Sequence, residues 1–410
     1  MSRFRRPVRA GIAALGIALI SAALGTPSPA YAVDQDRPAF YQTPADLPAE
    51  NGAVIRSEPM TYRLDPAQVN TVVMNSWRVL YKSTDRAGQP IAVSGTIMVP
   101  KTRWTGRGER PIIAYAPGTQ GMADRCAPSR QFSEGLEYEG IYITGLLKRG
   151  YAIAMTDYEG LGTAGMHTYM DRQSQAHTVL DAVRAAQKLP ATGLSTSNPV
   201  GIQGYSQGGG AGASAAELAS EYAPELRVRG AVVGAVPADL KAVSQKIDHS
   251  LYTDFVLYAA RGLAESYDID PADFANELGL QTTGRIEDHC QGGASVAPFV
   301  RTSTLTTSGL SFAQMADSEP WRTIVAEQRI GNRAPRVPVL VTHSVLDDVI
   351  PYDQARSMAR SWCRSGANVR FSTNATPTHI AASMNNATEA YLFWEARFAG
   401  WPQINACWRI

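Results

Sequence analysis

The fifteen residues from Val200 to Ser214, VGIQGYSQGGGAGAS, restrict the fold more than any other part of the chain. An apolar, strand-like run ends at Tyr205. A helix of small residues starts at Gln207. Between them stands Ser206, and Gly204-Tyr205-Ser206-Gln207-Gly208 matches the pattern G-x-S-x-G. In a strand-to-helix turn this pattern forces a sharp reversal, with the serine in a strained backbone conformation at the helix N-terminus. The positions two residues to either side must then be small, so that strand and helix can pass closely. A developing negative charge at that helix end is favoured. A rival reading takes Gly208 to Ala213 as the dinucleotide fingerprint G-x-G-x-x-A. It fails on position, because the strand-to-helix turn is already occupied by Gly204 to Gln207.

The surrounding sequence places this turn in a larger pattern. Strand-like and helix-like runs alternate from PIIAYAPGTQG through HTVLDAVRAAQKL to VRGAVVGAVPADL, which implies a mostly parallel sheet flanked by helices. After Leu240 the alternation stops, and residues 241–335 read as helices with polar links. The next clear strand is VPVLVTHS. Residues 33–60 read as an extended arm. The expected organisation is therefore 33–240 as the first part of an α/β core, 241–335 as a helical cap and 336–410 as the second part. Residues 1–32 read as a signal peptide: a basic start at Arg3, Arg5, Arg6 and Arg9, an apolar run of 14 residues, and Ala30-Tyr31-Ala32 as a cleavage site. That run falls short of the roughly 20 residues that span a membrane. Export and cleavage after Ala32 are expected. With 44% hydrophobic residues a large core is available, and a net charge of +1 gives no sign of a nucleic-acid partner. The four cysteines, Cys126, Cys290, Cys363 and Cys407, suit two disulfides in an exported chain, with three pairings open. Their spacing resembles no metal site, so no metal is expected.

A serine alcohol at neutral pH needs a histidine to take its proton and a carboxylate to orient that histidine. In α/β-hydrolases the chain order is Ser, acid, His, with the acid after a late strand. VPVLVTHS is that strand, and Asp347 and Asp348 lie in the loop behind it. The only histidine further on is His379, so order alone selects it from six. Asp347 is the preferred acid, from the D-x-x-[VI]-P spacing. Asp348 suits a role tying the loop to backbone amides, and Asp239 suits a helix cap. His343 is expected to shape the acid loop, His167 and His177 to be surface or packing residues, and His249 and His289 to be on the surface. The oxyanion needs two backbone N–H donors. Gln207 is one. Thr119 and Gln120, in the Pro-Gly loop after PIIAYA, are the candidates for the other, since Pro117 has no N–H.

Together, APGTQG, CAPS, DYEGLG, GYSQGG, LDDVIP and THI, in this order from about Tyr62 to the C-terminus, resemble the secretory lipase family of the fungal lipase A type. The resemblance implies an α/β-hydrolase core, a helical lid before the acid strand, and cofactor-free hydrolysis of acylglycerols and other carboxylic esters. It places the nucleophile on Ser206, the acid on Asp347 and the base on His379. It also implies the pairings Cys126–Cys290 and Cys363–Cys407. One departure stands out: the fungal members carry an acidic residue near the position of Gln120. The expected partners are a lipid or small ester and, transiently, a lipid interface, with no obligate protein partner. A cell-envelope acyltransferase using the same three residues is the alternative. A serine peptidase and a non-catalytic binding protein fit less well. The cap stretches TDFVLYAARGLA and TLTTSGLSFAQM fit an acyl-binding tunnel or plain helix packing equally.

Overall fold

The structure, a computed structural model, describes residues 37–63 and 71–410. The basic start, the apolar run and the Ala30-Tyr31-Ala32 site lie outside the described residues.

Nine strands form one sheet: β1 (Val54–Pro59), β2 (Met74–Thr84), β3 (Pro90–Pro100), β4 (Ile112–Ala116), β5 (Ala152–Thr156), β6 (Val200–Tyr205), β7 (Val228–Gly234), β8 (Val339–Ser344) and β9 (Val369–Asn374). Their spatial order is β1-β2-β3-β5-β4-β6-β7-β8-β9. The first three strands and the β3–β5 pair are antiparallel, whereas every pairing from β5 to β9 is parallel. Every residue of β4, β5, β6 and β8 is buried. Both faces of these strands are covered, which is why they read as unbroken apolar runs rather than alternating ones.

Successive residues of each central strand feed different cores. Ile112 and Ala114 join Ile202, Val233 and Val341 under helices α3 (Arg172–Lys188), α4 (Gln207–Tyr222) and α10 (Tyr352–Arg364). Ile113 and Tyr115 join Ile153, Val232 and Leu340 under α1 (Pro128–Glu134), α2 (Gly140–Lys148) and α11 (His379–Phe398). Each core is anchored by a fully buried tryptophan whose indole N–H finds an acceptor. Trp362 donates to Glu217 Oε1 at 2.7 Å and Trp394 to Gln203 Oε1 at 2.6 Å. Glu217 Oε1 also accepts the N–H of Gly331 at 2.8 Å, and its other oxygen pairs with Arg172. This one buried carboxylate therefore joins α3, α4, α10 and the chain leading into β8.

Between β7 and β8 lie α5 (Leu240–Ile247), α6 (Thr253–Ser266), α7 (Glu277–Glu287), α8 (Phe312–Met315) and α9 (Trp321–Glu327). They enclose an apolar cluster of their own, with Tyr258, Phe274 and Trp321 at its centre and Tyr169 and Met170 contributed from the loop after β5. Asp239 caps α5, its Oδ1 accepting the N–H of Ala242 at 3.2 Å. Among the described residues, no helix is long and apolar enough to cross a membrane.

Two findings differ from expectation. Val54–Pro59 within the supposed arm is a strand, pairing with β2. Its sequence VIRSEP is short and mixed because an edge strand buries little, and none of its residues is fully buried. The last helix starts at His379, earlier than the apolar run ATEAYLFWEARFAG suggests. Thr378 caps it, its Oγ1 accepting the N–H of Ala381 at 3.3 Å.

Disulfides join Cys126 to Cys290 and Cys363 to Cys407, with Cα–Cα distances of 5.4 and 5.6 Å. The second ties α10 to the C-terminal segment. Replacing it with the double variant Cys363→Ala/Cys407→Ala is expected to cost roughly 2–4 kcal/mol of stability. Urea titration of the oxidised wild type and the variant measures this, and an unchanged midpoint would contradict it.

Candidate active site

The site begins with the approach of α4 to the sheet. A Cβ on Gly204 would lie 2.1 Å from the Gly208 carbonyl oxygen, and one on Gly208 would lie 2.0 Å from that of Ala116. Neither position admits a side chain. The reversal between them leaves Ser206 at φ 61°, ψ −122°, a region that L-residues rarely adopt. Its hydroxyl is lifted off the carboxyl end of β6 and stands at the mouth of α4.

Ser206 Oγ donates to His379 Nε2 at 2.8 Å. His379 Nδ1 donates to Asp347 Oδ2 at 2.8 Å. The three residues come from the β6–α4 turn, the N-terminus of α11 and the loop after β8. Both His379 and Asp347 are buried. Asp347 Oδ1 accepts the amides of Val349 at 2.9 Å and Ile350 at 2.8 Å, and His343 Nε2 lies 3.4 Å from Oδ2. Burial alone would raise the Asp347 carboxyl, but hydrogen bonds from His343, His379 and the Ile350 amide outweigh it and hold the group well below the usual carboxylate range. The neighbouring Asp348 faces differently. Its Oδ1 accepts the backbone N–H of His379 at 2.7 Å, and its Oδ2 accepts the Tyr252 hydroxyl at 2.8 Å. Asp348 fixes the backbone of His379, while Asp347 contacts its ring. The Tyr205 hydroxyl holds the histidine from behind, donating to its carbonyl at 2.7 Å.

Gln207 is the first residue of α4, so its amide has no acceptor within the helix. Its side chain is buried and donates to His167 Nε2 at 3.1 Å. His167 in turn donates from Nδ1 to the Glu159 carbonyl at 2.9 Å. Sequence reasoning gave His167 only a surface or packing role, yet it is fully buried beside the turn. No pattern in the text links residue 167 to residue 207; the contact arises because the loop after β5 folds back over α4. His177 is also buried, stacked on Tyr222 at 3.8 Å between ring centroids. His249 is exposed, whereas His289 is half-buried against the Tyr258 hydroxyl.

In the loop after β4, Thr119 Oγ1 is 2.7 Å from the Tyr169 hydroxyl, and the side chain of Gln120 donates to Glu137 Oε1 at 3.1 Å. Thr119 lines a cavity of about 340 Å³ together with Ser206, His379, Leu136, Phe255 and Ile380. A second, apolar cavity of about 30 Å³ meets Ser206 from the other side, lined by Phe255, Val256 and Ala259 of α6. Of the two cap stretches considered from sequence, TDFVLYAARGLA thus reaches the site. TLTTSGLSFAQM supplies Phe312 and Met315 to apolar packing. The Cys126–Cys290 bridge ties the loop after β4 to the segment behind α7. Backbone bonds from Met122 N to His289 O at 2.9 Å and from Gln291 N to Gln120 O at 2.7 Å reinforce it.

A parallel sheet with a serine held at a strained turn between its central strand and a close-packed helix is the α/β-hydrolase fold. Comparison with known proteins narrows this further. The profile of the secretory lipase family matches residues 129–406. A secreted triacylglycerol lipase of Malassezia globosa is 28% identical over 396 residues, 90% of this chain and 83% of that protein. A protein of Mycobacterium tuberculosis named a probable inactive lipase is also 28% identical, over 88% of this chain and 82% of its own. The crystal structure of Candida antarctica lipase A in its closed state superimposes with a TM-score of 0.78 at 22% identity, covering 90% of this chain and 88% of that one. This chain belongs to the secretory lipase family and is, by that membership, an ester hydrolase.

The buried imidazole of His167 sets a pH limit. Burial pushes it down to about 4, against the opposing hydrogen bond to Glu159. Between about 6.5 and 4 the unfolded chain binds this proton and the folded chain does not, so the contribution of this group to stability falls as pH drops through that window. Asp347 adds a second loss at lower pH, because its folded carboxyl stays ionised below the unfolded value. Glu139, Asp157 and Glu159, raised by burial to about 7, about 6 and about 7, act in the opposite sense over the same range. The histidine is therefore isolated by difference: in denaturant titrations at pH 7, 5 and 4, His167→Gln should gain stability relative to the wild type as pH falls from about 6.5 to 4. A wild-type-to-His167→Gln difference that stays constant across this range would contradict the assignment.

Proposed function

We propose that this protein is an exported serine hydrolase that cleaves carboxylic esters of lipids through an acyl-enzyme. The observation that supports this most directly is the continuous hydrogen-bonded line from Ser206 Oγ through His379 to Asp347. In this reading His379 takes the Ser206 proton as the oxygen attacks the ester carbonyl. Asp347, kept ionised, stabilises the imidazolium that results. The amide of Gln207 and a second amide from the loop after β4 receive the oxyanion. For that second donor, the position of Thr119 on the cavity wall favours it over Gln120. His379 then returns the proton to the leaving alcohol and activates water for deacylation.

The cavity supports an apolar substrate. Leu136 and Ile380 line it while leaving 60% and 67% of their surface exposed, which suits a mouth that meets lipid. The Malassezia relative's name supports triacylglycerol as one substrate class, and its description as secreted supports export. Cleavage after Ala32 rests on the Ala30-Tyr31-Ala32 pattern. We read residues 33–240 and 336–410 as the catalytic core and residues 241–335 as a cap that supplies α6 to the acyl side.

A chain-length series of p-nitrophenyl esters, from acetate to palmitate, tests the reading. Ser206→Ala should lose roughly 10⁴- to 10⁶-fold in kcat. Asp347→Asn should lose about 10⁴-fold, and Asp348→Asn much less. Full turnover by Ser206→Ala would remove the nucleophile. Equal losses at 347 and 348 would remove the distinction between the two aspartates. Transfer to an added alcohol acceptor that outruns hydrolysis would make the protein an acyltransferase.

A further inference from the structure

One cluster of buried carboxyls lies against the loop after β4 and has no part in the chemistry so far. The tripeptide Glu137-Tyr138-Glu139, just ahead of α2, runs beside Gly118-Thr119-Gln120 and contacts it residue by residue. Glu139 Oε2 accepts the N–H of Gly118 at 2.8 Å. The Tyr138 hydroxyl donates to the carbonyl of Thr119 at 3.0 Å. Glu137 Oε1 accepts from the Gln120 side chain at 3.1 Å. Glu139 Oε1 also accepts the Tyr115 hydroxyl at 3.2 Å, which ties the tripeptide to β4. Glu137 and Glu139 are 2% and 3% exposed, and Glu137 Oε2 has no hydrogen-bond partner.

Two adjacent buried carboxyls are an expensive way to fill space, and apolar residues would pack there at less cost. Their placement has a geometric consequence. The N–H of Gly118 and the carbonyl of Thr119 belong to the two peptide planes flanking the Gly118–Thr119 peptide. Holding both fixes the direction of the N–H on the plane between them, which is that of Thr119. It also removes Gly118 as a competing donor. Oxyanion stabilisation depends on such donors being held in place before the reaction.

We propose that Glu137-Tyr138-Glu139 is the clamp that aims the Thr119 amide at the reacting carbonyl, with Glu139 as its chief positioning residue. The inference rests on the ester-hydrolase reading of Ser206. Burial pushes both carboxyls upward, Glu139 to about 7 and Glu137 well above the ordinary carboxylate range, with the charge of Glu139 adding to the effect on Glu137. The titratable groups facing them are Tyr115 on β4, Tyr138 itself, Tyr142 on α2, Tyr158 after β5, and His379 across the cavity. Burial raises Tyr115 and Tyr158 well above the ordinary phenol range. As Glu139 ionises, its hydrogen bond with Gly118 becomes charge-assisted and stronger.

The test is kcat and KM for p-nitrophenyl butyrate from pH 5 to 9 in the wild type, Glu139→Leu, Glu139→Gln and Tyr138→Phe. Glu139→Leu should lower kcat by about ten- to a hundredfold with KM within about twofold. Glu139→Gln should restore most of that loss, because its amide oxygen still accepts the Gly118 N–H. The ratio of wild-type to Glu139→Gln kcat should rise as pH passes through about 7. Tyr138→Phe keeps its half-exposed ring, folds irrespective of the buried charge, and should lose about three- to tenfold in kcat alone. Wild-type kcat in Tyr138→Phe and in any folded Glu139→Leu would overturn the clamp, as would equal losses in Glu139→Leu and Glu139→Gln. A wild type that turns over no ester would instead remove the ester-hydrolase reading beneath it.

Discussion

The structure depends on how closely one helix can approach one sheet. At Gly204 and Gly208 the backbone of α4 and its turn lies against carbonyl oxygens, with no room for a Cβ. That contact draws the N-terminus of α4 over the end of β6 and forces Ser206 into its strained conformation. The strain is held by what surrounds it: β4 and β7 on either side, both buried at the end that flanks the turn, and helices covering both faces. The first amides of the helix then have no acceptors within it. A hydroxyl at this point sits at the positive end of a helix, with two loops close enough to complete a site.

Around that point the protein sorts its carboxyl groups by environment. Asp347 is buried but receives two backbone amides and two histidines, so it stays ionised. Glu139 and Glu137 are buried with uncharged donors only, so burial dominates and their affinity for protons rises. His167, buried with only the Glu159 carbonyl acting against that burial, is kept neutral and free to accept from Gln207. The same desolvation acts on all of them, and the count and charge of hydrogen-bond donors decides the outcome. In this way one small region presents an ionised acid, neutral acids and a neutral base at the same pH.

The segment between β7 and β8 contributes to the same region from above. The Cys126–Cys290 bridge and its flanking backbone bonds hold that segment to the loop after β4. Helix α6 brings Phe255 to the wall shared by the two cavities beside Ser206. Tyr252, at the start of α6, reaches Asp348, which holds the backbone of His379. The covering helices are therefore connected to the acid and histidine loops, and also to the loop proposed to hold the oxyanion.

By itself the sequence determined the strand–serine–helix turn, because only small residues permit that crossing and the glycines are written consecutively. It determined the parallel core, since strands buried on both faces read as apolar runs, and it selected His379 by chain order alone. Those signals are local or ordinal, and a linear text preserves them. What only tertiary structure decided were contacts between residues far apart in the chain. Which aspartate faces the imidazole depends on a loop turning so that Asp347 meets the ring and Asp348 meets the backbone. The partnership of His167 with Gln207 and that of Glu137-Tyr138-Glu139 with Gly118-Thr119-Gln120 join segments with no shared pattern. The edge strand β1 escaped notice because a strand that buries little needs no apolar run. In each case the deciding energy comes from burial and hydrogen bonding that do not exist until the chain has folded.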